Sequence, residues 1–169
     1  MRKELLIVTV FLAIIAGTSF GQSTQDPAVQ EMRQKLEVVY DLGRMFSYIQ
    51  TMDKEQKKLA LSTAQVKSLV SMAEKILKVT RLEPKEADAM LKEIEDRILK
   101  PDQLMFVDGL AIARANERTA TSGTGAGSTG GTSPVQSYMN GGPFNPMQDT
   151  TKKIGQDFKA AYDYLKAKK

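Results

Sequence analysis

Carboxylates, lysines, tyrosines and hydroxyls must carry any catalytic chemistry in this 169-residue chain, because it holds neither cysteine nor histidine. The commonest zinc ligands, the thiol nucleophile and the imidazole general base are missing together. Three acids stand close in sequence at Glu93, Glu95 and Asp96, a set that would suit acid catalysis or a hard cation. Lys92 and Arg97 interleave with them, so the expectation is a solvated face of ion pairs. Nine methionines would offer thioether sulfur to copper(I). Met32, Met90 and Met105, however, fall on or beside apolar helical positions, and no Met-x-x-Met cluster occurs, which marks them as core filling. No HExxH, no glycine-rich phosphate loop and no calcium-loop spacing of acids is present. The expectation is a protein that is not an enzyme, has no cofactor and no metal ligand, and acts by binding.

The spacing that does recur belongs to helix starts. "LSTAQV", residues 61–66, is echoed by "LKPDQL", residues 99–104. In the first, Ser62 is an N-cap, and Gln65 three residues on reaches back to the amide of the cap. Leu61 and Val66 flank the box as a hydrophobic staple. In the second, Leu99 and Leu104 take the staple positions and Gln103 the third helical position. Pro101 occupies the first, where its missing N–H does no harm. Lys100 replaces the expected Ser or Thr, so that box is incomplete. A weaker third copy, "LEPKEA", places Leu82 before a poor Glu83 cap, Pro84 at the first position and Glu86 at the third. These leucines and glutamines are read as fold grammar. Gln65 and Gln103 converging in a shared cleft would contradict that reading.

Helical periodicity surrounds the three starts. Val29, Met32, Leu36, Val39, Gly43, Phe46 and Ile49 recur at steps of three and four, giving a first helix to about residue 52. Gly43 lies on its apolar stripe, where a close approach by another element becomes feasible. A second helix carries Val66, Leu69, Val70, Ala73, Ile76 and Leu77, and a third runs from Pro84 to about Arg97. The fourth, from Pro101 to about Arg118, is apolar on more than one side and is expected to be central. With short connections the result is an all-α bundle or helical hairpin array over residues 28–118.

Two further regions flank this unit. Arg2 and Lys3, then the apolar run 5–16, then small residues to Gly21 read as a secretory signal peptide over residues 1–21, followed by a polar leader over 22–27. Downstream, residues 119–150 are rich in Gly, Ser and Thr and are expected to be a flexible linker. They also carry Tyr138 and Phe144 as a candidate docking peptide. Ile154, Phe158, Ala161, Tyr162 and Leu165 then form one apolar stripe, predicting an amphipathic C-terminal helix over 151–169. At about 17 residues such a helix is marginal alone in water. Three occupants are open for its stripe: the parent bundle, a protein partner or second copy, or an anionic membrane surface. Tyr138, Phe144, Ile154, Phe158, Tyr162 and Leu165 are therefore the candidate partner-binding residues.

Net charge is +4, falling to +3 without residues 1–21, and acids alternate with bases along residues 31–118, so nucleic acid is not an expected partner. In Leu61-Ser62-Thr63-Ala64-Gln65 and Leu99-Lys100-Pro101-Asp102-Gln103 the chain resembles exported bacterial proteins with paired L-T-x-x-Q motifs, the Spy/CpxP-like periplasmic proteins. The overall layout is also similar to a related group of small exported bacterial proteins. The first resemblance implies a non-enzymatic, ATP-independent chaperone or envelope-stress adaptor in the periplasm, often dimeric, that holds clients through mixed charged and apolar contacts. The alternative is a structural or membrane-associated envelope component tethered through residues 151–169.

Overall fold

The computed structural model describes residues 26–121 and 134–169, with side-chain surroundings given up to residue 117 in the first stretch. The signal-like segment 1–21, most of the leader and residues 122–133 of the expected linker lie outside the described residues. What is described is all-α, with six α-helices and no strand.

The first helix, α1 (Pro27–Glu55), starts where Asp26 accepts the Ala28 N–H at 2.9 Å and Pro27 fills the first turn. It is the hub of the molecule. Leu36, Val39, Leu42, Phe46, Ile49 and Met52 are completely buried, and α1 meets α3, α4, α5 and α6. A single 3₁₀ turn (Lys57–Leu59) leads to α2 (Thr63–Lys78), then α3 (Pro84–Glu93). The expected third helix therefore stops being regular four residues early. Its last turn, Ile94–Ile98, widens into π geometry, with the Leu99 N–H reaching back to the Ile94 carbonyl, and both Ile98 and Leu99 turn into the core.

The fourth helix, α4 (Pro101–Thr121), corrects the expectation that it is central. Only Gln103 and Val107 of its residues up to 117 are buried, while Met105 is 69% and Ile112 63% exposed. Its apolar residues do lie on more than one side, but a single side packs against the bundle.

Residues 134–150 correct the linker expectation. Pro134–Met139 forms a short helix, α5, and Val135, Tyr138, Phe144 and Met147 are buried. Phe144 exchanges backbone bonds with residues 80–82: its N–H donates to the Thr80 carbonyl at 2.9 Å, and the Leu82 N–H donates to its carbonyl at 2.8 Å. Asn145 Nδ2 donates to the carbonyls of Ile76 and Val79, both at 2.7 Å, and Gln148 Nε2 to that of Leu77 at 2.8 Å. Those carbonyls lie at the C-terminal end of α2, where the helix leaves acceptors short of donors and only a long bond of 3.4 Å from the Val79 N–H reaches Ile76, so this segment caps the helix that precedes it by some 70 positions. Arg81 adds bonds to the carbonyls of Tyr138 at 3.0 Å and Gly142 at 2.8 Å, with its guanidinium 3.8 Å from the Tyr138 ring centre.

The last helix, α6 (Lys153–Lys168), lies on α1 and α2. Phe158, Ala161 and Leu165 are fully buried, and the Phe158 ring meets Phe46 edge-on at 4.9 Å. Gly43 permits the approach, and Gly155 permits the tight turn of chain into α6. A Cβ on Gly43 would stand 2.9 Å from Ile154 Cδ1, and one on Gly155 would stand 2.2 Å from the Asp149 carbonyl oxygen.

Candidate functional site

The two glutamines of the repeated phrase meet. Gln65 Oε1 accepts the Ser62 N–H at 2.9 Å and the Gln65 backbone N–H donates to Ser62 Oγ at 3.3 Å, completing the capping box expected of that segment. Gln65 Nε2 then reaches across 38 positions to Gln103 Oε1 at 2.7 Å and to the Ile98 carbonyl at 2.7 Å. Gln103 returns the arrangement, accepting the Lys100 N–H at 2.9 Å and donating Nε2 to the Leu59 carbonyl at 2.9 Å. Each side chain thus closes its own helix start and bonds to the chain leading into the other. The capping role expected of each glutamine is present, and the contact between them is additional to it. Gln65 and Gln103 are 8% and 2% exposed, so the junction is buried. Leu61, Val66 and Leu99 are buried around it and Leu104 is half-buried; at the third start, Leu82 is buried, while Glu86 is exposed and no side chain caps the helix.

A second polar junction was not read from the sequence. Asp53, 6% exposed near the end of α1, accepts the Leu61 N–H at 2.6 Å and the Tyr164 hydroxyl at 2.7 Å, and pairs with Lys168. Burial alone would raise its carboxyl, but the bonds from Lys168, the Leu61 amide and Tyr164 outweigh it and hold the group below the usual range. Burial, then the bond to and charge of Asp53, push the Tyr164 hydroxyl up to about 12. One carboxylate therefore ties α1, the start of α2 and the end of α6 together.

These ties settle where the candidate partner-binding residues stand. Tyr138, Phe144, Phe158 and Leu165 are buried inside the chain's own fold, and Ile154 and Tyr162 are half-buried against it. In this structure the set contributes to the chain's own core. The stripe of α6 that a membrane or second copy would need is already covered by α1 and α2.

What remains uncovered is the outer side of α4. At about 100° per residue, Asp102, Met105, Phe106, Gly109, Ile112 and Ala113 fall within one sector roughly 120° wide, opposite Gln103, Val107 and Ala111. An open groove of about 570 Å³ runs along it, lined by Leu59, Met105, Phe106, Gly109 and Leu110. Asp102 is the acid in its wall. Asp108 and Glu95 lie instead in a separate hollow with Val107 and Ala111, where burial followed by the charges of Asp108, Asp96 and Asp88 holds the Glu95 carboxyl above its ordinary value. The expected face of ion pairs is accordingly incomplete, since Lys92 bonds Asp88 at 2.7 Å and leaves Glu95 beside like charges. Among the described residues no three acids gather as a metal site.

Comparison with family models, with curated proteins and with solved structures finds no match to this chain. Its function has to be argued from its own surfaces.

Sequence reasoning missed Met105 and Ile112 as surface residues because periodicity counts apolar positions without saying which are covered. A signal was nevertheless present: α4 is apolar over too wide an arc for one neighbour to bury.

Proposed function

We propose that this protein is an exported, non-enzymatic binding protein of the chaperone or adaptor kind, which holds an amphipathic, basic segment of a protein partner along the outer side of α4. The observation that carries the reading is the exposure of Met105 at 69% and Ile112 at 63% on one side of a helix whose other side is anchored in the bundle. Large apolar groups left in water on a rigid helix are the usual mark of an interaction surface, and methionine adapts to varied partners. Charge selects among partners. Asp102, exposed in the groove wall, favours a segment whose apolar stripe is flanked by lysine or arginine and disfavours an acidic one. The signal-like run over residues 1–21 and the resemblance of the paired Leu-x-x-x-Gln segments to Spy/CpxP-like proteins support the exported, ATP-independent form of this reading.

Aggregation of an unfolded client, followed by light scattering without nucleotide, tests it. Near-stoichiometric protein should suppress scattering, and the double variant Met105→Glu with Ile112→Glu should lose that effect while keeping the parental thermal melt. Absence of suppression across several basic clients, or full suppression by the double variant, would overturn the reading.

A further inference from the structure

A second concave surface lies where α1, the segment before α6 and α6 itself meet, away from the outer side of α4. One part is a pocket of about 440 Å³ whose wall is mainly Tyr40, Pro143, Phe144, Pro146 and Ile154. Phe144 stands edge-on to Tyr40 with ring centres 6.0 Å apart, so the wall is a fixed aromatic and proline surface. Its volume is in the range of small-molecule sites. The other part, about 260 Å³, shares Tyr40, Lys153 and Ile154 with the first and continues to Arg44, Ser47, Tyr48, Arg114 and Asp157, the last neutralised by Lys153.

The charges in this trough are unevenly matched. Arg44 bonds Glu37 at 2.6 Å and also pairs with Asp41, and Lys153 bonds Asp157 at 2.8 Å. Lys152, at the rim of the apolar part, faces the Asp149 carboxylate, whereas Arg114, from the opposite side of α4 to Met105, makes no ion pair among the described residues. A guanidinium beside the Ser47 and Tyr48 hydroxyls, adjoining an apolar wall, suits a ligand with an anionic head and one hydrocarbon tail. A neutral hydrocarbon would leave the cationic part unused, and a cation would meet Arg114 and Arg44.

We infer that this trough is a binding site for a single-chain anionic amphiphile, with the tail against Tyr40, Phe144 and Ile154 and the carboxylate or phosphate head at Arg114. The site is separate from the partner surface proposed above, and either can fail without the other.

Calorimetric titration of the full chain with decanoate, decyl phosphate, decanol and decyltrimethylammonium, all below micelle formation, tests it. Saturable one-to-one binding is expected for decanoate, decyl phosphate or both, the pattern naming the head group, with decanol weaker by about tenfold or more and the ammonium not bound. Arg114→Glu, at an exposed position, should weaken the anion by about tenfold or more with no change in thermal melt, and Tyr40→Ala should weaken anion and alcohol alike. Lack of saturable binding by both anions, equal binding of anion and ammonium, or an Arg114→Glu variant that binds as the parent does would overturn the assignment.

Discussion

α4 and α6 both carry the periodicity of a helix with an apolar side, and the fold treats them in opposite ways. α6 turns Phe158, Ala161 and Leu165 wholly inward, whereas α4 leaves Met105 and Ile112 in water. The difference lies in polar and steric complements rather than in hydrophobicity. α6 has Gly43 beneath Ile154, Gly155 against the Asp149 carbonyl, and the Asp53 carboxylate receiving Tyr164 and Lys168. α4 has a comparable lock at its start, through Gln103, and beyond Val107 it leaves Gly109, Ile112 and Ala113 exposed. An apolar stripe announces that a helix wants cover; glycines and buried polar partners decide whether its own chain supplies it.

Truncating the two helices should separate them most sharply. Phe158→Ala should cost about 3–5 kcal/mol of stability in urea unfolding, while Ile112→Ala should stay within about 0.5 kcal/mol. Equal losses would erase the contrast.

Next in size is the lock of α6. Asp53→Ala leaves the Leu61 N–H, the Tyr164 hydroxyl and Lys168 without their shared acceptor and should cost about 3 kcal/mol, measured the same way. The folded carboxyl titrates below the unfolded one, so its contribution is complete above the unfolded value of about 3.9 and disappears as pH falls through the lower folded value. Wild type should therefore lose stability in that acid window more steeply than Asp53→Ala does.

The glutamine junction is expected to be smaller and coupled. Gln65→Ala or Gln103→Ala alone should each cost about 1–3 kcal/mol by leaving a buried amide short of partners. The double variant should cost less than their sum, with a coupling of about 0.5–3 kcal/mol. Strict additivity would mean that the two helix starts act independently. Smallest is Tyr164→Phe, at about 1 kcal/mol. In ultraviolet titration Tyr164 should ionise near 12; its stabilisation is complete below the unfolded value of about 10 and fades as pH rises through 12.

Legibility in the sequence followed locality. Ser62 and Gln65, Pro84 and Pro101 each announce a helix start through neighbours three or four positions away, and those starts stand where the pattern put them. Missing from the pattern was everything that acts across the chain. Asn145 and Gln148 cap α2 from some 70 residues downstream, in a stretch whose Asn, Gly and Pro read only as turns. Asp53 looks like any solvated acid on α1 until α6 arrives. The bond between Gln65 and Gln103 was signalled by the repeated phrase itself, but a capping box is satisfied locally and gives no hint that its glutamine has a second hand free. For the outer side of α4, composition showed an excess of apolar residues, and only the packed neighbours reveal which of them remain uncovered.

Methionine oxidation footprinting tests the central contrast most directly, because the nine methionines are distributed over both kinds of surface. In the free protein Met105, 69% exposed, should oxidise rapidly, and Met52 and Met147, both at 0%, should resist. Adding a basic amphipathic client should protect Met105 and leave the buried pair unchanged. Rapid oxidation of Met147 in the free protein, or a Met105 that reacts as fast with saturating client as without it, would contradict the account.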